Sequence, residues 1–385
     1  MTFEKLVMEE ALDAIIDYRG RTPQKSPIGI STLSAKSVKN GQIDYSECYY
    51  ISPEEYKKFM TRGFPQKGDI LLTTEAPLGM VAKLDRADVA VAQRLLTLRG
   101  KKGVLDNDFL MYYLQSSEGQ GLLKAKETGT TVTGIKQAEF RKIVIKVPDF
   151  QTQKKIAAIL SALDEKIAIN REINENLERQ AMAMFSSLYE RSNTEVGYTD
   201  MIQILGGGTP KTGENTYWNG NIAFFTPKDV DTPYTLITEK TITEEGLSHC
   251  NSRLYPVNTV FVTARGTVGK VGMSGVPMAM NQSCYALVGK ETHQLLVYFY
   301  TLKAVDRLKH KASGAVFDAI TTKDFESEQI MKLSDDDATA FLRVAEPMFQ
   351  EVLNNNIENL RLSTLRDSLL PKLMSGEIDV SAVQL

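Results

Sequence analysis

From Asp149 to about Glu190, positions recur at alternating spacings of four and three: Ile156, Leu160, Leu163, Ile167, Asn170, Asn174, Leu177, Ala181, Met184 and Leu188. That spacing holds one narrow stripe on one face of a helix over more than four heptads, as in a helix that packs lengthwise on another helix. The run is longer than a compact domain needs. Asparagine on such a seam costs stability and fixes register. The other reading places the asparagines on the solvent flank of the stripe.

The same pattern occurs a second time. Ile156, Leu160, Leu163, Ile167, Asn170, Asn174 and Leu177 map at a constant offset of 185 onto Phe341, Ala345, Met348, Val352, Asn355, Asn359 and Leu362. The preceding sequence repeats as well. Thr22-Pro23 returns as Thr209-Pro210, and the Ser34–Val38 segment returns as Thr226-Pro227-Lys228-Asp229-Val230. The run from Gly68 to Thr73, with Gly79, aligns with Asn258 to Thr263, with Gly269; Ala92-Gln93 aligns with Asn281-Gln282. Gly129, Ile135 and Phe140 return as Gly314, Ile320 and Phe325. A period this long describes a duplicated module and not a solenoid.

Short apolar runs (70–74, 95–98, 143–147, 260–263, 285–288) read as strands, and 108–124 and 292–309 read as helical. Each globular half is therefore expected to be α/β or α+β. The expected order is a domain at 1–148, a long helix at 149–190, a similar domain at 191–333, and a second long helix with a tail at 334–385. Asp149 and the Ser334-Asp335 pair supply N-terminal caps, and Pro371 is expected to end the second helix. Two similar helices, each following its own domain, can pack antiparallel as a coiled coil about an approximate two-fold axis.

Composition adds exclusions. The chain of 385 residues is 42% hydrophobic and 24% charged, ordinary for a folded soluble protein. It has no membrane-length apolar run and no leader-like start, so a cytoplasmic location is expected. Cys48, Cys250 and Cys284 are scattered, and His249, His293 and His310 are isolated, so neither disulfides nor a metal site is expected. Gly266 to Lys270 looks like a phosphate loop but lacks its first glycine and last hydroxyl residue; a turn required by the fold explains it better. Gly206-Gly207-Gly208 lacks dinucleotide spacing. Neither a nucleophile elbow nor a catalytic carboxylate pair is present, so binding is expected and catalysis is not. The net charge of −3 is unlike that of a protein that holds nucleic acid alone, unless a partner supplies positive surface. A phosphate-loop nucleotidase and a duplicated coiled-coil adaptor without a DNA role are the rival readings.

The residues that decide among these are ordered motifs. They are Asp17-Tyr18-Arg19-Gly20-Arg21-Thr22-Pro23, Pro148 through Gln153-Lys154-Lys155-Ile156, and Leu163-Asp164-Glu165-Lys166-Ile167. Further on come Gly206 to Pro210 with Tyr217-Trp218, Thr226 to Val230, and Leu369-Leu370-Pro371-Lys372-Leu373-Met374-Ser375-Gly376-Glu377-Ile378. Over its full length the chain resembles the DNA-specificity subunits of type I restriction-modification systems. The resemblance implies a non-catalytic subunit with two target recognition domains, each reading half of a bipartite duplex DNA target, and helices that hold the gap. It further implies two modification subunits, docked on the helices and methylating adenine at N6, and restriction motor subunits. S-adenosylmethionine, ATP and Mg would be bound by those partners and no cofactor by this chain. Candidate DNA contacts are the polar residues of corresponding loops. In the first half these are Arg19, Arg21, Lys36, Thr74, Glu75, Gln93 and Arg94; in the second, Lys211, Trp218, Lys228, Arg265, Asn281 and Gln282. Arginine suits guanine, and asparagine or glutamine suits adenine, in the major groove.

Overall fold

A computed structural model describes residues 2–129, 133–231, 233–311 and 319–383; Gly314 of the internal repeat lies outside them. The chain forms two compact units, residues 1–166 with 361–385 and residues 167–360.

In the first unit a four-stranded antiparallel sheet runs in the order Leu12–Asp17, Leu95–Gly100, Ile70–Thr73, Val81–Lys83. The central runs are apolar without alternation because both faces are covered: Ile70, Leu72, Leu96 and Leu98 enter one core, Leu71 and Leu95 another. A second sheet joins Tyr49–Ile51, Ile30–Leu33 and Ala90–Val91, the last pair parallel. Glu4–Val7 pairs with Val144–Val147, and the helices Asn107–Gln115 and Ser117–Ala125 close the larger core.

The second unit repeats this plan. Ile202–Gly206, Cys284–Gly289, Val260–Thr263 and Val271–Ser274 take the same order, with Tyr234–Thr235 added in parallel at the edge. Lys240–Ile242, Trp218–Phe225 and Met278–Met280 make the second sheet, and Thr194–Gly197 pairs with Gln329–Lys332. One helix, Gln294–Lys311, stands where the first unit has two. Arg307 and Lys311 reach from it to Glu328, a carboxylate only 1% exposed.

The long helices span Phe150–Arg191 and Asp335–Ser375. Asp149 caps the first by accepting from the Gln151 and Thr152 amides at 3.1 Å, and Ser334 caps the second by accepting from Asp337 N at 3.1 Å. Gln153 keys the first helix to its domain: it accepts from Asp106 N at 3.0 Å and donates to Val104 O at 3.0 Å. In each unit the two helices lie antiparallel. Within the first, Asp164 accepts from Arg366 Nη1 and from the Tyr112 hydroxyl, both at 2.6 Å, while Ile156 and Leu160 share a core with Leu373 and Met374. Within the second, Asn170 donates to Glu358 at 2.7 Å and Asn359 at 2.9 Å, and Asn174 exchanges bonds with Asn355 and Asn356 at 2.9 and 2.8 Å. Asn170, Asn174 and Asn355 are buried, as are Ile167, Phe341, Ala345 and Val352; Leu163, Leu177, Met348, Asn359 and Leu362 are half-buried.

Two expectations need correction. Beyond Ala181 the buried positions are Phe185 and Tyr189, with Met184 and Leu188 only half-buried. A straight helix drifts about 20° per heptad against a seven-residue repeat, and here it also faces its domain's core. Pro371 does not end the distal helix, which runs to Ser375 and closes at Gly376 (φ 76) with Ile378 N donating to Lys372 O at 3.1 Å. Proline costs a helix interior about 3 kcal/mol. The added turn offsets this by burying Leu373 and Met374, each worth roughly 1.5–3 kcal/mol. Pro371 and Asp367, whose carbonyl loses its donor, are both exposed, as is Pro347 inside the same helix.

Glu178, on the central helix, is a poised acid. Burial, reinforced by Glu175 and Asp231, pushes its carboxyl up to about 7. An unfolded glutamate releases its proton near 4.5. The folded unit therefore binds the proton more tightly, and stability falls as pH rises from about 4.5 through 7. Glu178→Gln should melt level with the parent at pH 4 and above it at pH 8. A difference independent of pH would remove this role.

Candidate nucleic-acid interface

Strand register gathers the candidates of the first unit at one sheet edge. Leu96 lies opposite Asp17 and Leu95 opposite Thr73, so the loop after Asp17, the loop after Thr73 and the residues before Leu95 share that edge. Thr74 is buried, its amide donating to Arg94 O at 2.9 Å and its carbonyl accepting from Ile135 N at 2.9 Å. Glu75 lies between two arginines, with Oε1 2.8 Å from Arg94 Nε and Oε2 3.9 Å from Arg19 Nη2. Arg19 also donates to Ile135 O at 3.1 Å. Arg21 donates to Thr61 Oγ1 at 2.7 Å and lies over the Phe59 ring at 5.3 Å. Arg94 is exposed and Gln93 half-buried. Lys36 stands exposed on the turn Ala35–Ser37, brought to the same edge because Leu33 O accepts from Ala92 N at 2.9 Å. One residue escapes a sequence reading: Arg62, whose Nη1 donates to Asp17 O at 2.9 Å and Arg19 O at 3.3 Å, holds the arginine loop in place. Nothing in its local sequence marks it.

The second unit builds the same edge from different side chains. Tyr285 pairs with Gly206 and Cys284 with Thr263, which brings together the glycine loop, Arg265 and the Asn281-Gln282 pair. A Cβ on Gly207 would sit 2.2 Å from Asn281 O, and one on Gly208 would sit 2.6 Å from Asn251 N, so the loop must be glycine to lie this close. Asn281 uses Oδ1 to accept from Ser283 N at 3.0 Å, and its own amide donates to Phe225 O at 3.0 Å. Gln282 is exposed and accepts from the Thr209 hydroxyl. Arg265 is exposed. Lys228, also exposed, follows Phe225 and lies 3.8 Å from Glu239; Asp229 braces the loop by accepting from Thr226 N at 2.8 Å and Glu239 N at 2.7 Å. Trp218 is placed apart, at the far end of its strand from Phe225. It covers the Ile222, Phe224 and Ile242 cluster edge-on to Phe224 and donates to Lys211 O at 3.1 Å, which ties exposed Lys211 to it.

Behind each edge lies one turn. Thr73 accepts at Oγ1 from Met80 N at 2.9 Å and its carbonyl accepts from Gly79 N at 3.0 Å; Thr263 does the same with Lys270 N at 3.0 Å and Gly269 N at 2.9 Å. The Gly266–Lys270 segment is thus a hairpin turn common to both halves. Among the described residues no group of three or more His, Cys, Asp or Glu could hold a metal, and no helix is long and apolar enough to cross a membrane.

Residues 19–179 and 192–332 each match the family model described as the type I restriction modification DNA specificity domain. A specificity subunit of the type I restriction enzyme MjaIX, from Methanocaldococcus jannaschii, is 24% identical over 390 residues, covering 94% of this chain and 88% of that one. The HindI specificity subunit of Haemophilus influenzae is 23% identical, covering 81% and 87%. The EcoR124I/EcoR124II specificity subunit of Escherichia coli reaches 30% over 174 residues, 42% of this chain and 43% of that one. In fold, the crystal structure of a type I restriction-modification S subunit from M. genitalium aligns with a TM-score of 0.64 at 16% identity, covering 97% and 96% of the two chains.

Proposed function

As the chain belongs to the type I restriction-modification DNA specificity family, we propose that each of its two recognition domains reads one half of a bipartite duplex target and that the paired helices set the unspecified gap between the halves. The chain is a specificity subunit, a non-catalytic component of a restriction-modification complex. The observation that carries the bipartite reading is the repetition of one polar sheet edge in both units, on the same turn. There Lys36 and Gln93 are matched by Lys228 and Gln282, but Arg19, Arg21, Glu75 and Arg94 give way to Gly206, Gly208, Arg265 and Ser283. Two domains with one scaffold and unlike edges suit two unlike half-targets.

In this reading the exposed and half-buried candidates of the two edges divide between base and phosphate contacts, while buried Thr74 and core-covering Trp218 support the scaffold. The flanks of the long helices, including Lys155, Lys166, Arg171, Glu175 and Arg179, dock two modification subunits that carry S-adenosylmethionine and methylate adenine at N6. Restriction subunits add ATP- and Mg-dependent translocation and cleavage, and the complex works in the cytoplasm. The net charge of −3 favours basic surface supplied by the partners, because phosphate neutralisation provides most non-specific affinity. Mapping N6-methyladenine in genomic DNA with and without this gene tests the proposal. Loss of one bipartite motif is the expected result; an unchanged methylome in a strain that expresses the modification subunits would refute it.

A further inference from the structure

The two sheet edges correspond residue by residue through their backbone bonds. Thr74 N donates to Arg94 O at 2.9 Å and Ile135 N to Thr74 O at 2.9 Å, as Ala264 N donates to Ser283 O at 2.8 Å and Ile320 N to Ala264 O at 2.9 Å. Glu75 then forms a bridge with Gly134, as Arg265 does with Ala319. Glu75 therefore occupies the place of Arg265, and Arg94 the place of Ser283. The carboxylate and arginine of the first edge become an arginine and a serine in the second. Arg19-Gly20-Arg21 likewise gives way to Gly206-Gly207-Gly208.

What this does to Arg94 is specific. Its backbone has φ 72, a left-handed conformation that bulky side chains rarely adopt, held by the bond from Thr74. Glu75 Oε1 forms an ion pair with the guanidinium on its Nε side, at 2.8 Å. The two terminal Nη groups make no hydrogen bond among the described residues, and the side chain is 51% exposed. An ion pair on the Nε side biases the planar fork and leaves its two Nη donors available to a ligand. A phosphate contact carries no sequence information, whereas a contact to guanine O6 and N7 reads one base pair.

We propose that Arg94 contacts a guanine in one half of the target and that Glu75 is its positioning residue, the second domain making its own contact through Arg265 from the neighbouring strand end. The inference rests on the proposed reading of one half-target per domain.

The test uses the full chain assembled with its modification subunits, on duplexes bearing the genomic motif and every single-base-pair change of it. Glu75→Ala and Arg94→Lys should each reduce methylation discrimination about tenfold or more at one shared G·C pair. Discrimination throughout the other half should stay at the parent level, and Arg265→Ala should change only that other half. Arg94→Lys retains the positive charge, so a phosphate contact would leave discrimination unchanged. Melting midpoints matched to the parent separate loss of positioning from unfolding. Uniform loss over all duplexes, effects at different base pairs for the two variants, or intact discrimination overturns the inference. If the parent chain itself methylates no bipartite motif, the proposed function fails and this inference goes with it.

Discussion

Alanine in place of Phe185 is expected to destabilise the second unit by about 3–5 kcal/mol, the range for a buried aromatic truncated in a packed core. The ring is fully buried. It stacks on Phe299 at 5.0 Å and meets Tyr300 at 5.4 Å and Phe341 at 5.6 Å edge-on, with Tyr189 tilted beside it at 5.6 Å. It thus joins the central helix to the domain helix and to the distal helix at one point. Its neighbours cannot collapse into the vacated space, because Phe299 is held in turn by Phe341 at 5.2 Å and Phe349 at 5.4 Å. Calorimetry should show a melting midpoint lower by on the order of 10 °C. Phe185→Leu should recover part of this. A fall of no more than about 2 °C would mean that the site relaxes and that the aromatic cluster is not a keystone.

The second large effect is expected from shortening one helix. Deleting residues 167–173 removes about two turns, roughly 10 Å, which corresponds to about three base pairs of duplex. Because the deletion is one heptad, the apolar stripe stays in phase while Asn170 and its bonds to Glu358 and Asn359 are lost. Under the proposed spacing role, such a chain either methylates a motif with a shorter gap or methylates none. Genomic N6-methyladenine mapping reads the outcome directly. Recovery of the parental motif with its parental gap would end the spacer idea.

Much of this architecture is legible in the sequence because it rests on long periodic signals. The duplicated heptads declare the helix pair, and the apolar runs 70–74 and 260–263 declare central strands buried on both faces. What escapes is set by distant partners. Ala90–Val91 and Tyr234–Thr235 are too short to carry a period, and each exists only because it pairs in parallel with Ile30–Leu33 or Val271–Ser274. Local rules for proline miss the end of the distal helix, since burial of Leu373 and Met374 offsets the lost hydrogen bond. At the candidate interface, repeat alignment already sets Gln93 beside Gln282. It does not reveal that Arg94 is paired with Glu75, nor that Trp218 serves a core, because both depend on loops meeting across the sheet.

The division of the chain into one continuous unit and one split unit has a consequence for synthesis. Residues 167–360 leave the ribosome as a complete set, whereas the first unit still lacks Leu373, Met374 and Val380, which are seated beside Ile156, Leu160 and Phe109. The domain made first is therefore finished last, and its apolar seat stays open throughout elongation. A ribosome that stalls between residue 360 and Leu373 leaves a chain with a complete second unit and a first unit exposed to aggregation and proteolysis. Quality control of the first unit thus falls on the translation of residues 361–380.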